Sequence, residues 1–338
     1  YMEDTGQELS SVSISSDGNW IVYIRGGDFG SNWDDELPVN PTFNPIPPKV
    51  QIWSIPFSGG DPIMIDEGIN PVISPKSNEI AYVKDGQIWV ASIDGEGDPK
   101  KLFHSRGRNG SHSWSPDGSK IVFVSYRSDR SFIGIYENDD TNIKWINPSF
   151  DRDSSPRWSP DGNQIVYIRQ PGAAGKPASI LGANHVPWKL IKSDINSMES
   201  NELWTAPQTL RGSYPRTQGG ANLHWADKRI VFLSYQDGWQ HLYSIPENGG
   251  KPLLLTPGNF MCEYIKLSPD RKSLVFTANT GNDEYDIDRR HIVQVSVDKQ
   301  NMKVLTNGKG LEWTPLVVGD LNHIAYISAS STRPPLPT

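Results

Sequence analysis

The 338-residue sequence predicts an all-β fold, a β-propeller of four-stranded antiparallel blades, on three observations. A turn phrase recurs along the chain, a second phrase follows it at a regular offset, and the repeat length suits one small sheet per unit. The first phrase is clearest as Trp114-Ser115-Pro116-Asp117-Gly118-Ser119-Lys120-Ile121-Val122-Phe123 and returns as Trp158-Ser159-Pro160-Asp161-Gly162-Asn163-Gln164-Ile165-Val166-Tyr167. Proline presets φ for a turn, Asp-Gly supplies the corner, and a β-branched run then resumes as a strand. Looser copies begin at Ile14, Ile73, Trp225 and Leu267, and a last one opens at Gly319-Asp320. Turn positions 17, 76, 117, 161, 227, 270 and 320 are separated by 59, 41, 44, 66, 43 and 50 residues, so the basal period lies in the low forties.

The second phrase is Gln51-Ile52-Trp53-Ser54-Ile55-Pro56 before Gly59-Gly60, copied closely as His241-Leu242-Tyr243-Ser244-Ile245-Pro246 before Gly249-Gly250. Weaker copies run from Gln87 and from His291. Each unit is therefore four short strands with turns after the first and third. One such sheet cannot bury both faces alone and must stack against its neighbours. A β-sandwich also needs alternating strands, but it gives no reason for two phrases to recur in register.

In chain order, residues 1–11 read as a lead-in. Blades follow at about 12–69, 70–109, 110–153, 154–220, 221–263 and 264–310, with an incomplete one at 311–338 that stops after two strands in the proline-rich end. Six full blades and a half blade predict seven, with eight allowed for a longer protein. The units at 12, 154 and 264 carry long insertions between their second and third strands. In a four-stranded meander that connection shares an end with the link to the next blade. All three insertions are thus expected on one face, where function carried on loops is to be sought.

Composition narrows the chemistry. A net charge of −7 and the absence of a Lys/Arg stripe argue against a nucleic-acid surface. No run of 18 apolar residues suggests a membrane span. Cys262 is the single cysteine, which excludes an internal disulfide and thiolate-rich metal sites, and it reads as a small buried hydrophobe. There is no Gly-x-Ser-x-Gly, His-Glu-x-x-His or phosphate-binding glycine motif, and the seven histidines are scattered. No catalytic residue, cofactor or metal is expected. His112 and His224, on innermost strands with Arg157 and Lys266, are expected to line a wet central channel.

The insertions supply the candidate site. Trp33, Asp34, Asp35 and Glu36 come from the first, and Asp283, Glu284, Tyr285, Asp286, Asp288, Arg289 and Arg290 from the third. Carboxylates can hold a cationic amine, and a guanidinium can grip a carboxylate or carbonyl. Glu36 and Glu284 rank first as substrate-binding residues, then Asp34, Asp35 and Asp286, with Arg289 or Arg290 for a carbonyl contact or for pairing with the neighbouring acids. The alternative is that such charge runs only solvate their loops.

The Ser-Pro-Asp-Gly units resemble the propellers of the prolyl oligopeptidase family of serine peptidases, and equally the periplasmic TolB-type propellers. More specific are Tyr23-Ile24-Arg25-Gly26-Gly27-Asp28, Arg127-Ser128-Asp129-Arg130-Ser131-Phe132-Ile133-Gly134, Ser155-Pro156-Arg157-Trp158, Asn222-Leu223-His224-Trp225 and Ile287-Asp288-Arg289-Arg290-His291. With Leu311-Glu312-Trp313-Thr314-Pro315 and Arg333-Pro334-Pro335-Leu336-Pro337, they resemble the N-terminal half of bacterial dipeptidyl-peptidase or acylaminoacyl-peptidase-like members. The resemblance covers nearly the whole chain. It implies a non-catalytic domain that gates access and positions the peptide amino end for a C-terminal α/β-hydrolase domain with a Ser-Asp-His triad, which no sequence after Thr338 supplies. The acidic loops have no residue-by-residue match to the paired glutamates that some dipeptidyl peptidases use. Expected partners are that hydrolase domain and peptide substrates, with no nucleic acid and no membrane, and a homo-oligomer is allowed. The expected compartment is the periplasm or the exterior, with the cytoplasm as the alternative. The competing reading is a freestanding TolB-like protein-binding propeller.

Overall fold

The computed structural model describes residues 9–26, 49–173, 184–318 and 323–338. The chain divides into two compact units, Tyr1–Pro156 and Arg157–Thr338. In the first, three antiparallel meanders follow one another. The first sheet holds β1 (Leu9–Ile14), β2 (Trp20–Arg25), β3 (Gln51–Pro56) and β4 (Ile63–Glu67). The second holds β5 (Ile69–Ile73), β6 (Glu79–Lys84), β7 (Gln87–Ser92) and β8 (Lys100–Lys101). The third holds β9 (Arg108–Trp114), β10 (Ile121–Arg127), β11 (Arg130–Tyr136) and β12 (Lys144–Ile146). The boundary between the units falls within β13 (Arg152–Trp158), whose Arg152 makes a single parallel bridge to Ser131 of β11.

The second unit continues with β14 (Gln164–Gln170), β15 (Lys189–Asp194) and β16 (Ser200–Thr205). A meander of β17 (His224–Trp225), β18 (Arg229–Ser234), β19 (His241–Pro246) and β20 (Leu253–Leu254) follows. Next come β21 (Cys262–Leu267), β22 (Ser273–Ala278), β23 (His291–Ser296) and β24 (Lys303–Val304). The last sheet has three strands, β25 (Leu311–Val318), β26 (His323–Ser330) and β27 (Arg333–Pro337). Among the described residues the fold is all-β, built of several four-stranded antiparallel sheets of the propeller-blade type.

Two boundaries differ from the sequence reading. β1 starts inside the expected lead-in, because Leu9 and Ser10 pair with Arg25 and Ile24. The proline-rich end does not stop the last sheet but forms its third strand, with Ser328 opposite Leu336 and Ser330 opposite Arg333. Prolines lack a donor, yet an edge strand needs only one row of bonds. Here the Thr338 amide donates to the Tyr326 carbonyl at 2.8 Å, and the Tyr326 amide returns a bond to Thr338 at 3.1 Å.

The turn phrase folds into a polar clasp. Ser115 Oγ donates to Asp117 Oδ1 at 2.5 Å and accepts the Lys120 amide at 2.9 Å, while Asp117 accepts the Ser119 amide at 3.1 Å. The same bonds recur at Ser15 and Asp17, Ser159 and Asp161, and Ser268 and Asp270. Gly118 takes φ 67° at the corner, a conformation that costs a side-chain-bearing residue strain. In two copies that lack glycine, Ser77 and Arg271 are held there at φ 59° and 60°.

A second device leaves no mark in the sequence. β1, β5, β9, β21 and β25 each carry a register shift at a β-bulge, where Ser11, Asn70, Ser111, Tyr264 and Thr314 have positive φ. Ser155 and Asn222 repeat the conformation in the remaining units. A bulge bends and twists the strand locally.

The core lies between consecutive sheets within each unit. Val22, Ile52 and Ile65 of the first sheet pack with Ile80 and Tyr82 of the second. Ala81 and Ile88 pack in turn with Ile121, Phe123 and Tyr136. In the second unit Trp188, Leu190 and Leu203 meet Trp225, Phe232 and Tyr243, and Val231 and Leu242 meet Cys262, Phe276 and Val293. Burial on both faces is why the central strands read as unbroken apolar runs, and each such side chain is worth roughly 1.5–3 kcal/mol. His112 belongs to this packing and not to a wet channel: it is buried, with Nε2 3.0 Å from the Ala81 carbonyl, and burial lowers its proton affinity. His224 is pushed down to about 4 by burial and by the charges of Arg157 and Lys266.

Candidate functional site

The three long connections lie between β2 and β3, β14 and β15, and β22 and β23, each joining a second to a third strand. Trp33, Asp34, Asp35 and Glu36 fall outside the described residues. The connection after β22 is described throughout, and its base is fixed by Asn279. That buried side chain accepts the Met261 amide at 2.8 Å and donates to the Ile287 carbonyl at 3.2 Å.

A short 3-10 helix, Glu284–Asp288, forms at the tip because Asp283 and Asp286 make a capping box. Asp283 accepts the Tyr285 amide at 3.0 Å, and Asp286 accepts the Asp283 amide at 2.9 Å. Arg289 Nη1 bonds Asp286 at 3.0 Å and Asp283 at 3.1 Å. Arg290 Nε donates to Glu263 of β21 at 2.6 Å. His291 is buried, with Nε2 3.0 Å from Asp286 and Nδ1 2.9 Å from Glu312 of β25. Thr306 Oγ1 also donates to that Glu312 oxygen at 2.6 Å.

Burial opposes the Asp286 charge, but the Asp283 amide, His291 and Arg289 outweigh it and hold the carboxyl down to about 2. The Tyr285 amide and Arg289 lower Asp283 as well. Asp286, Arg289 and Arg290 are therefore brought together, but their charges answer one another and Glu263. Glu284 is different. It is exposed and holds no side-chain hydrogen bond or ion pair among the described residues, while Tyr285 and Ile287 beside it are exposed too. Asp288, at the end of the same helix, is likewise exposed and without a side-chain bond among the described residues, so the braced turn presents two unpaired carboxylates beside an apolar rim, each able to accept donors from an ammonium. Sequence reading passed over His291, Glu312 and Glu263, which hold the turn in place. The Asp-x-x-Asp spacing at 283 and 286 was the available signal, as a capping box.

Among the described residues, no three His, Cys, Asp or Glu side chains are grouped to hold a metal ion, and no helix is long and apolar enough to cross a membrane. Cys262 is fully buried, and burial pushes its thiol up to about 12.

Residues 59–178 match the family described as TolB beta propeller domain, and residues 184–335 match the Dipeptidyl peptidase IV (DPP IV) N-terminal region. The chain is thus a propeller domain related to those of TolB and of the prolyl oligopeptidase family. Dipeptidyl peptidase 4 of Trichophyton rubrum is 34% identical over 79 residues, 23% of this chain and 10% of that protein. The Tol-Pal system protein TolB of Bordetella avium (strain 197N) is 29% identical over 130 residues, 34% of this chain and 29% of that one. Among solved structures, Porphyromonas gingivalis dipeptidyl peptidase 4 superposes with a TM-score of 0.63 at 14% identity, over 98% of this chain and 50% of that chain. The β-propeller domain of the Trilobed protease from Pyrococcus furiosus does so with a TM-score of 0.58 at 14% identity, over 98% and 92%. At such identity the likeness is one of fold, and in fold the chain corresponds to the N-terminal propeller portion of prolyl oligopeptidase-family enzymes.

Proposed function

We propose that this chain is the non-catalytic propeller domain of a serine exopeptidase or oligopeptidase of the dipeptidyl-peptidase type. In this reading seven units close a ring, and the insertions after β2, β14 and β22 share the face that meets a C-terminal α/β-hydrolase domain. Peptides reach that domain past these loops in the periplasm or outside the cell. Glu284 and Glu36 hold the substrate's free ammonium, with Asp34 and Asp35 nearby, while Asp286, Arg289 and Arg290 brace the turn that presents Glu284. The observation that carries the reading is the match of residues 184–335 to the Dipeptidyl peptidase IV N-terminal region, which spans the turn bearing the unpaired Glu284. In a water-poor chamber, a carboxylate facing an ammonium is worth far more than on an open surface.

The test is made in the full-length protein. Glu36→Gln and Glu284→Gln should each lower kcat/KM on a peptide with a free amino end and leave a matched blocked peptide unchanged. Equal kinetics on both peptides removes these residues from the site. A freestanding protein-binding propeller is the second reading, favoured by the match of residues 59–178 to the TolB family. It requires that the coding sequence after Thr338 hold no Gly-x-Ser-x-Gly followed by Asp and His.

A further inference from the structure

We propose that a cavity on the first unit, between the segment entering β9 and the β10–β11 hairpin, binds a carboxylate of the peptide, supplied by an acidic side chain or by its C-terminus. The cavity has a volume of about 760 Å³, and its lining includes Arg106, Arg108, Arg127 and Arg130 with one carboxylate, Asp129. Asp129 is committed, since Arg130 Nε bonds it at 3.1 Å. Arg106 and Arg108 are exposed, and their guanidinium groups hold no hydrogen bond or ion pair among the described residues. Among the described residues the Arg127 guanidinium bonds only the Ser125 hydroxyl, at 3.0 Å, and it lies 5.7 Å from the Phe132 ring centre and 5.8 Å from that of Trp145. Three guanidinium groups thus converge without an answering anion, in a chain whose net charge is −7. Burial and the Arg106 charge both weigh against the Arg127 proton, as expected of like charges left facing each other.

The arrangement is built, not incidental. Gln87, buried, accepts the Ser105 amide at 3.1 Å and the Asn109 Nδ2 at 3.0 Å, and donates to the Gly107 carbonyl at 3.1 Å. Ser125 Oγ donates to the Arg106 carbonyl at 3.0 Å. The segment bearing Arg106 and Arg108 is therefore pinned by buried polar groups before any ligand arrives, which cuts the ordering cost of binding. Guanidinium forks match a carboxylate bidentately. A single pocket is too small for a nucleic-acid track.

The proposal rests on the peptide-binding reading of the domain, but its test uses acetylated probes and so is independent of amine recognition by Glu284. Binding of acetyl-Ala-Glu-Ala-amide, acetyl-Ala-Gln-Ala-amide and acetyl-Ala-Gln-Ala with a free C-terminus is measured by calorimetry on the full-length protein. At least one carboxylate-bearing probe should bind about tenfold or more tightly than the neutral amide, and which one does so identifies the source of the carboxylate. That preference should fall by about fivefold or more in Arg106→Gln and in Arg108→Gln, with unchanged thermal midpoints. Equal affinity for all three probes overturns the proposal. So does a preference that survives in the double variant Arg106→Gln/Arg108→Gln.

Discussion

His291 Nε2 lies 3.0 Å from Asp286 Oδ1, and the ring's other nitrogen reaches Glu312, so one buried imidazole joins the insertion after β22 to the first strand of the last sheet. Removing Asp286 takes the partner from the buried His291 Nε2 and the acceptor from the Asp283 amide, and leaves Arg289 with Asp283 alone. Asp286→Ala should therefore cost about 2–3 kcal/mol of stability. It should also speed amide exchange across residues 283–291. Unchanged exchange and an unchanged denaturation midpoint would show that the connection is not held by this bond.

The same carboxyl sets an acid limit. Its folded value, about 2, lies below the unfolded value near 4. For a depressed acid, the stabilisation is present in full above the unfolded value and is lost as pH falls towards the folded one. Asp17 is depressed to about 2 as well, first by the Ser15 hydroxyl and then by the Asn19 amide. Stability should decline between about pH 4 and pH 2. In an NMR titration, Ser15→Ala should raise the Asp17 midpoint towards the ordinary carboxylate range, and a midpoint left near its original value would contradict the clasp.

Two corner substitutions should act in opposite directions. Gly118→Val places a branched side chain at φ 67°, and should cost more than about 1 kcal/mol. Arg271→Gly relieves a residue already held at φ 60°, and should stabilise by about 0.5 kcal/mol after the added freedom of the unfolded chain is counted. Thermal midpoints of the two variants decide the matter, and shifts of the same sign would refute the shared corner conformation.

Gly107 has φ 87°, and a Cβ there would fall 2.5 Å from the Tyr126 carbonyl and 2.7 Å from Arg127 Cδ. Gly107→Ala should lower stability by at least about 1 kcal/mol and move the Arg106 to Arg108 segment away from the hairpin. A crystal structure of the variant with that segment in place would refute this account.

Much of the strand order could be read from the sequence because its signals are local. Ser-x-Asp clasps and β-branched runs are each decided within about ten residues, and their spacing also placed the long connections between second and third strands. The acidic run at 283–288 was visible, but the different fates of its members were not. Glu284 and Asp286 look alike in sequence, yet one is exposed and the other is buried against His291.

The sequence by itself determined the repeat, the turn chemistry and the type of sheet, since φ preferences and side-chain alternation act between neighbours in the chain. Only the tertiary structure decided what depends on residues far apart. The bulges at Ser11, Asn70, Ser111, Tyr264 and Thr314 occur without glycine, because the neighbouring strand holds a conformation that the residue itself disfavours. The proline-rich end becomes β27 because β26 offers it a free edge. Arg106 and Arg127, 21 positions apart, become neighbours because β9 and β10 pair and Gln87 pins the segment before them. A buried polar contact fixes which charges are spent within the fold and which are left for a ligand, and that balance is set by distance in space.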